Sequence, residues 1–268
     1  MLKELESPSP FLRARACWVY GEFGIFPFDD QDHLRSVLNL LYQNIQQPDL
    51  PVRVNAAVSL IKMLNHEIAV DFVRPGLETI IKIYLKLIDD IDYDELIESL
   101  KRIVEVFESE ISPYAVQLCS KLGEAFLRLT EQQRANQGGG DELELDNETS
   151  LTADGLITAI RRILKSISGM NLPLYPQLEE ILEQPIIATL TDPQAMSVEE
   201  GLSCLSELLY NQQGVSGRMW NIYLLICDSL LTDKGILDEF IDILSVPLIN
   251  FMNRDPHTFK AAQLDYQG

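Results

Sequence analysis

The sequence has 268 residues, of which 46% are apolar, enough for a continuous core, and 23% are charged, an ordinary share for a folded protein. The charge balance is unusual, because there are 41 acidic residues and only 21 basic ones, which gives a formal net charge of −20. Such a surface repels phosphate backbones and anionic lipid, so it argues against nucleic-acid and membrane partners and favours basic proteins as partners.

Apolar residues recur at spacings of three and four along most of the chain, which predicts α-helices and an all-α fold. Ser9-Pro10 and Ser112-Pro113 each place an N-cap residue before a proline suited to the first helical turn, and Ser197 to Glu200 has the pattern of a capping box. The short connections predict that successive helices are antiparallel neighbours. The eleven predicted helices cover 10–24, 31–46, 51–66, 70–88, 93–109, 113–135, 152–168, 174–190, 196–212, 217–232 and 236–253.

The helices also repeat as pairs. The segment RARACWVY aligns with RVNAAVSL, so that Arg13 corresponds to Arg53 at a separation of 40 residues, and further along Gly155 corresponds to Gly201 at a separation of 46. Periods of this length with two helices each are typical of HEAT or armadillo units, which bury their apolar stripes by stacking on one another. The prediction is a HEAT-repeat α-solenoid, a right-handed superhelix of antiparallel helix pairs, and the alternative is a compact helical bundle.

A glycine-rich, acidic insertion at 136–151 divides the series, with about three helix pairs in 1–135 and about two and a half in 152–268. Long loops in compact proteins are usually functional or disordered, so this insertion is either a solvated spacer or a contact for a basic partner. The candidate contact residues are its five acids, Asp141, Glu142, Glu144, Asp146 and Glu148.

Nothing in the sequence predicts catalysis, a metal site or a cofactor. The four cysteines are far apart and lie in apolar helical patterns, so they are expected to be buried, reduced thiols. The three histidines lack the spacing of metal ligands, and no phosphate-binding glycine loop occurs. Arg13 and Arg53 are expected to be structural, each bonding a neighbouring repeat.

The aromatic residues leave two interpretations open. Trp18, Tyr20 and Phe23 fall on the first predicted helix, and Trp220 and Tyr223 on the tenth. Packing in the core or at an end of the array is one interpretation. The other is a shallow apolar groove between neighbouring helices that takes a short aromatic peptide motif.

Several stretches resemble the importin-β superfamily, and within it the importin-7/importin-8 branch. They are FLRARACWV at 11–19, LPVRVNAA at 50–57, EISPYAV at 110–116, TADGL at 152–156 and VSGRMW at 215–220. Their order and spacing agree over nearly the whole chain. The chain therefore resembles a central segment of such a receptor, with about five and a half of its repeats.

The resemblance implies a nuclear transport receptor that shuttles between cytoplasm and nucleus. Its expected partners are basic cargo proteins such as ribosomal proteins or histones, Ran-GTP, bound mainly by repeats outside this segment, and FG-nucleoporins at the pore. The resemblance also implies that the acids from Asp141 to Glu148 touch Ran or cargo. The alternative is another HEAT-repeat scaffold, such as a phosphatase regulatory subunit or a coat adaptor.

Overall fold

The computed structural model describes residues 1–91, 93–136, 143–170, 173–191, 197–231 and 236–265. Within these ranges the chain forms thirteen α-helices and no strand, which confirms the all-α prediction. The helices are α1 (Pro10–Phe23), α2 (Gln31–Asn44), α3 (Leu50–Lys62), α4 (Glu67–Val73), α5 (Leu77–Asp90), α6 (Asp94–Val106), α7 (Ala115–Asn136), α8 (Leu143–Ser166), α9 (Tyr175–Leu190), α10 (Val198–Tyr210), α11 (Gly217–Leu231), α12 (Ile241–Arg254) and α13 (Pro256–Asp265).

The chain divides into two compact units, Met1–Phe107 and Glu108–Gly268. In the first unit α1 packs along α3 and α3 packs along α6, while α2, α4 and α5 pack beside them. In the second unit α8, α10 and α12 stack in chain order, and α7, α9 and α11 form a parallel row. Equivalent helices of successive pairs therefore stack on one another within each unit, as HEAT repeats do.

Close contact between α1 and α3 depends on one glycine. Gly21 lies against Ser59, and a Cβ atom at Gly21 would come within 2.4 Å of Ser59 Oγ. The hydroxyl of Ser59 donates a hydrogen bond of 2.7 Å to the carbonyl oxygen of Cys17. The side chain of Tyr84, fully buried on α5, donates to the carbonyl oxygen of Ala57 and so joins the two helices of one pair.

In the second unit a glycine again allows two helices to pack closely. Gly201 of α10 lies against Thr189 of α9, so closely that a Cβ atom would overlap the threonine hydroxyl. The amide of Asn250 on α12 donates to the carbonyl oxygen of Ser206 on α10 at 3.1 Å. Side chains that bond the backbone of the neighbouring helix thus fix the position of each helix along the next one.

The single helix predicted at 70–88 is wrong. The structure has two helices there, α4 and α5, separated by a 3-10 turn at Arg74–Gly76. Pro75 has no N–H to donate and its ring disfavours the helix before it, which explains the break.

Three further expectations differ from the structure. The helix α8 begins at Leu143, nine residues before the predicted start, because 143–153 contains neither glycine nor proline and its acids suit a helix N-terminus. The helix α13 was not predicted. Ser197 is the N-cap of α10 but its hydroxyl caps nothing, since it donates to Asp154 Oδ1 of α8 at 3.2 Å. The predicted capping box is therefore wrong.

Candidate functional site

The two repeat arginines each reach from their own helix to the segment that precedes the next one. Arg13 donates from Nη1 to the carbonyl oxygen of Ser7 at 2.7 Å, and its Nη2 lies 3.1 Å from Oδ2 of Asp49, the residue before α3. Arg53 places Nη1 3.9 Å from Oδ2 of Asp90, at the end of α5. Each arginine therefore meets an aspartate near the start of the following stacked helix.

The structure describes three of the five acids of the candidate partner contact. Asp141 and Glu142 lie outside the described residues. Glu144, Asp146 and Glu148 lie in the first six residues of α8, so they belong to a helix and not to a loop. Their contact with a basic partner stays a prediction.

A row of alternating charges crosses the three stacked helices of the first unit. Lys62 Nζ on α3 lies 2.6 Å from Oε1 of Glu22 on α1 and 3.6 Å from Oε2 of Glu95 on α6. Partial burial opposes ionisation of Lys62, but the hydrogen bond to Glu22 and the charge of Glu95 outweigh it and raise its pKa. The row holds the outer edges of the stacked helices together where all three side chains still meet solvent.

Beside this row is a groove between α3 and α6, with a volume of about 240 Å³. Ile25 and Ile61 supply its apolar wall. Ile25 is 56% exposed, so this wall can be reached from solvent. The rim is polar, because Arg102 donates to Asn65 Oδ1 at 3.1 Å across the gap. The remaining lining residues are Lys62, Glu95, Glu98 and Ser99.

A second groove, also of about 240 Å³, lies on α1 and is almost wholly apolar. Its lining residues are Met1, Val19, Tyr20, Phe23, Phe26, Pro27 and Phe28. Phe23 and Phe26 are 62% and 57% exposed. Both grooves are smaller than the roughly 300–1,000 Å³ of small-molecule sites, so each suits a protein side chain.

The aromatic residues singled out in the sequence have different roles. Tyr20 is in the core, whereas Phe23 is exposed and borders the groove on α1. Trp220 and Tyr223 pack against Phe251 of α12, with ring centroids 5.3 and 5.2 Å from it. Tyr20 and Tyr223 are therefore core residues, Trp220 packs partly buried beside Tyr223, and Phe23 and Tyr20 line the groove on α1.

No three histidine, cysteine or acidic side chains within the described part of the chain are placed to hold a metal ion, and none of the helices described there is long and apolar enough to cross a membrane. Burial raises the pKa of the Cys17 thiol to about 12 and also raises the pKa of Cys119 and Cys204. These cysteines are therefore protonated at neutral pH and poor nucleophiles.

Comparison with known proteins places the chain in a family. It is 33% identical over 267 residues to an importin beta-like SAD2 homolog of Arabidopsis thaliana, a match that covers 98% of this chain and 25% of the relative. It is 31% identical over 220 residues to a probable importin-7 homolog of Dictyostelium discoideum, which covers 82% of this chain and 20% of the relative. The chain belongs to the importin-β family.

This importin-β segment is also similar to human importin-8, with 24% identity over 250 residues, 92% of the chain and 23% of the relative. The chain spans between a fifth and a quarter of the length of the relatives that it matches. No family model matches it, and no solved structure matches it.

The charge row through Lys62 was not predicted from the sequence. A signal for it exists, because Glu22 and Lys62 are 40 residues apart and so occupy equivalent repeat positions with opposite charge. Asp49 and Asp90 gave no signal of their own, because their role depends on which arginine the fold places beside them.

Proposed function

We propose that this importin-β segment is part of a nuclear transport receptor that binds basic cargo and carries it through the nuclear pore under Ran-GTP control. The observation that carries this function is the match of 98% of the chain to an importin beta-like protein, in agreement with two further importins. The receptor shuttles between cytoplasm and nucleus.

Cargo binding is electrostatic. With 41 acidic and 21 basic residues, the segment attracts proteins rich in lysine and arginine, such as ribosomal proteins or histones. The contact is made by Asp141, Glu142, Glu144, Asp146 and Glu148, of which three lie at the start of α8. Because the attraction between opposite charges is screened by salt, affinity falls as the salt concentration rises.

Pore passage uses the groove between α3 and α6, which takes the phenylalanine side chain of an FG repeat. Ile25 and Ile61 supply the apolar wall for the ring, and the polar rim accommodates the flanking peptide. Many weak contacts of this size, each easily broken, suit a receptor that has to leave the pore again. Ran-GTP binds mainly through repeats outside this segment and releases the cargo. The segment has no enzymatic role.

The test of cargo binding uses the 268-residue chain and core histones as the basic probe. In the first variant, the five acids from Asp141 to Glu148 are replaced by their amides. The matched control replaces five exposed acids elsewhere, and these are Asp29, Glu67, Asp71, Glu199 and Asp242. We expect the first variant to bind histones at least tenfold more weakly than the control at low salt. Equal affinities of the two variants would show that histone binding depends only on net charge and that the five acids from Asp141 to Glu148 are not the contact.

The test of the receptor function itself is binding of a Phe-Gly repeat peptide to the same chain, with a Ser-Gly repeat peptide as control. A receptor that crosses the pore binds the first and not the second. Absence of any preference for the Phe-Gly peptide, together with unselective histone binding, would overturn the proposed function.

A further inference from the structure

The turn between α1 and α2, residues 24–30, supplies one wall of the groove between α3 and α6. Ile25, its second residue, lines that groove together with Ile61 of α3. The side chain of Ile25 is 56% exposed, so its own packing does little to fix where it lies. Its position in the groove wall therefore depends on how the backbone of the turn is held.

His66 holds the start of this turn from the following repeat. Its Nε2 lies 2.6 Å from the carbonyl oxygen of Gly24, and this contact joins residues 42 positions apart in the sequence. A carbonyl oxygen can only accept a hydrogen bond, so Nε2 carries the hydrogen and donates it. His66 is the N-cap residue of α4, yet its side chain makes no capping hydrogen bond to that helix. The imidazole is thus used on the turn and not on its own helix.

The same imidazole also contacts the turn further along. The ring of Phe28 meets the ring of His66 edge to face, with centroids 5.5 Å apart and an interplanar angle of 83°. Phe28 lies near His33 of α2 as well, at a centroid distance of 6.0 Å. The turn is therefore anchored at Gly24 and at Phe28, and Ile25 between these anchors remains open to solvent.

Gly24 allows the turn to lie close to the end of α3. A Cβ atom at this position would come within 2.8 Å of the carbonyl oxygen of Tyr20 and within 3.0 Å of Cγ of Met63. Met63 is fully buried and directly follows α3, so it is a fixed support under the turn. Contact with Met63 limits how far the turn can move toward α3, and the hydrogen bond from His66 keeps it from moving away.

We propose that His66 is a positioning residue for the groove between α3 and α6. It is not among the residues that line the groove, so it does not touch the ligand. It acts through the backbone of Gly24, which places Ile25 in the groove wall beside Ile61. This role rests on the proposed function for the identity of the ligand, the phenylalanine side chain of a Phe-Gly repeat.

The hydrogen bond specifies which side chains can take the place of His66. A replacement has to donate to the carbonyl oxygen of Gly24 from about the distance that Nε2 reaches. The amide nitrogen of glutamine does so, whereas leucine has similar bulk and no donor. His66→Gln therefore keeps the anchor and His66→Leu removes it. His66→Asn, whose amide is too short to reach the carbonyl, replaces His66→Leu if the leucine variant does not fold.

The first test measures the affinity of a labelled Phe-Gly repeat peptide for the 268-residue chain by fluorescence anisotropy. His257→Leu on α13 is the matched control, since this exposed histidine does not line the groove. We expect His66→Leu to weaken binding several-fold, because the ring loses its contact with Ile25. His66→Gln and the control should bind as the unchanged chain does. Equal weakening by His66→Gln and His66→Leu would overturn the positioning role.

A double-mutant cycle with Ile25→Ser separates positioning from a general loss of structure. If His66 acts through Ile25, His66→Leu has no further effect on peptide affinity in a chain that already carries Ile25→Ser. Additive losses from the two changes would contradict the proposal, because His66 would then act on the groove by another route.

Methyl NMR tests the anchor without any peptide. The δ1-methyl signal of Ile25 is assigned by its absence in Ile25→Ser. Both His66 variants lack the imidazole ring, so a difference between them reports the hydrogen bond alone. We expect the signal to move in His66→Leu relative to His66→Gln, and coincident signals would overturn the proposal. If the signals differ but the Phe-Gly peptide does not bind the unchanged chain, His66 still positions Ile25 and the ligand in the proposed function is wrong.

Discussion

Ser59 on α3 donates its hydroxyl hydrogen to the carbonyl oxygen of Cys17 on α1, and Gly21 one turn later leaves the space that this contact needs. The two helices approach closely because a hydrogen atom, and not a methyl group, faces the serine. A single glycine therefore sets the spacing of two stacked repeats.

Gly21→Ala is expected to lower the free energy of unfolding by about 1–3 kcal/mol, the usual cost of forcing extra volume into a packed contact. The new Cβ atom would lie 2.4 Å from Ser59 Oγ and 2.9 Å from its Cβ, so the helices have to separate. Urea unfolding followed by circular dichroism measures the change. Gly214→Ala is the control, since nothing lies within 4 Å of the atom added there. Equal midpoints for the two variants would contradict the close contact.

The helices that the sequence predicts best are those with a strong local pattern. Leu34, Val37, Leu38 and Leu41 recur at helical spacing, and all four are buried on α2. Periodicity is a property of neighbouring residues, so the sequence contains it in full. The break at Pro75 was also encoded locally but was outweighed by the apolar pattern on either side.

The sequence also contains a signal for the start of α13, a helix that was not predicted. Asp255 precedes Pro256 as Ser9 precedes Pro10, and its carboxylate accepts from the backbone N–H of Thr258 at 3.1 Å, which caps α13. That pattern predicts a helix start, because proline at the first position follows a capping side chain.

Contacts between helices that are far apart in the sequence could not be predicted from the sequence. The hydroxyl of Ser197 bonds Asp154 of α8 and not its own helix, and Lys62 meets acids from two other helices. Both choices depend on which helices the fold brings together. The grooves are hidden for the same reason, since Ile25 and Ser99 line one of them from positions 74 residues apart in sequence.

Arg13 is expected to matter more for stability than its repeat equivalent Arg53. Arg13 has a side chain only 14% exposed, lies 3.1 Å from Asp49 and bonds a backbone carbonyl, whereas Arg53 lies 3.9 Å from a more exposed Asp90. Arg13→Met should cost about 1–3 kcal/mol because it removes charge-assisted hydrogen bonds to two partly buried acceptors, and Arg53→Met about 1 kcal/mol or less. Thermal unfolding of both variants tests the order. A larger loss for Arg53→Met would show that the shorter contact is not the stronger one.

The buried thiols predict a loss of stability at alkaline pH. Burial raises the pKa of Cys17 from 9.0 to about 12 and also raises the pKa of Cys119 and of Cys204. Between pH 9 and the folded-state pKa the unfolded chain releases these protons and the folded chain keeps them. Unfolding therefore becomes easier by about 1.4 kcal/mol per pH unit for each thiol.

The measurement is the urea midpoint between pH 8 and 11. Cys17→Ala is the comparison. In this variant the free energy of unfolding should fall less steeply with pH, by the contribution of one thiol, whatever the stability of the variant at pH 8. An unchanged slope in that variant would show that Cys17 ionises in the folded state as easily as in the unfolded one.

The groove between α3 and α6 gives the last prediction. Ile25 forms part of its wall and is 56% exposed, so replacing it should cost the fold little. Ile25→Ser is expected to weaken binding of a Phe-Gly repeat peptide several-fold, because the phenylalanine ring loses its apolar contact. Fluorescence anisotropy of a labelled peptide measures the affinity. Ile241→Ser on α12 is the control. Ile241 is 60% exposed and is not one of the residues that line the groove, so this variant should bind as the unchanged chain does. If both variants bind the peptide equally well, the ring does not enter this groove.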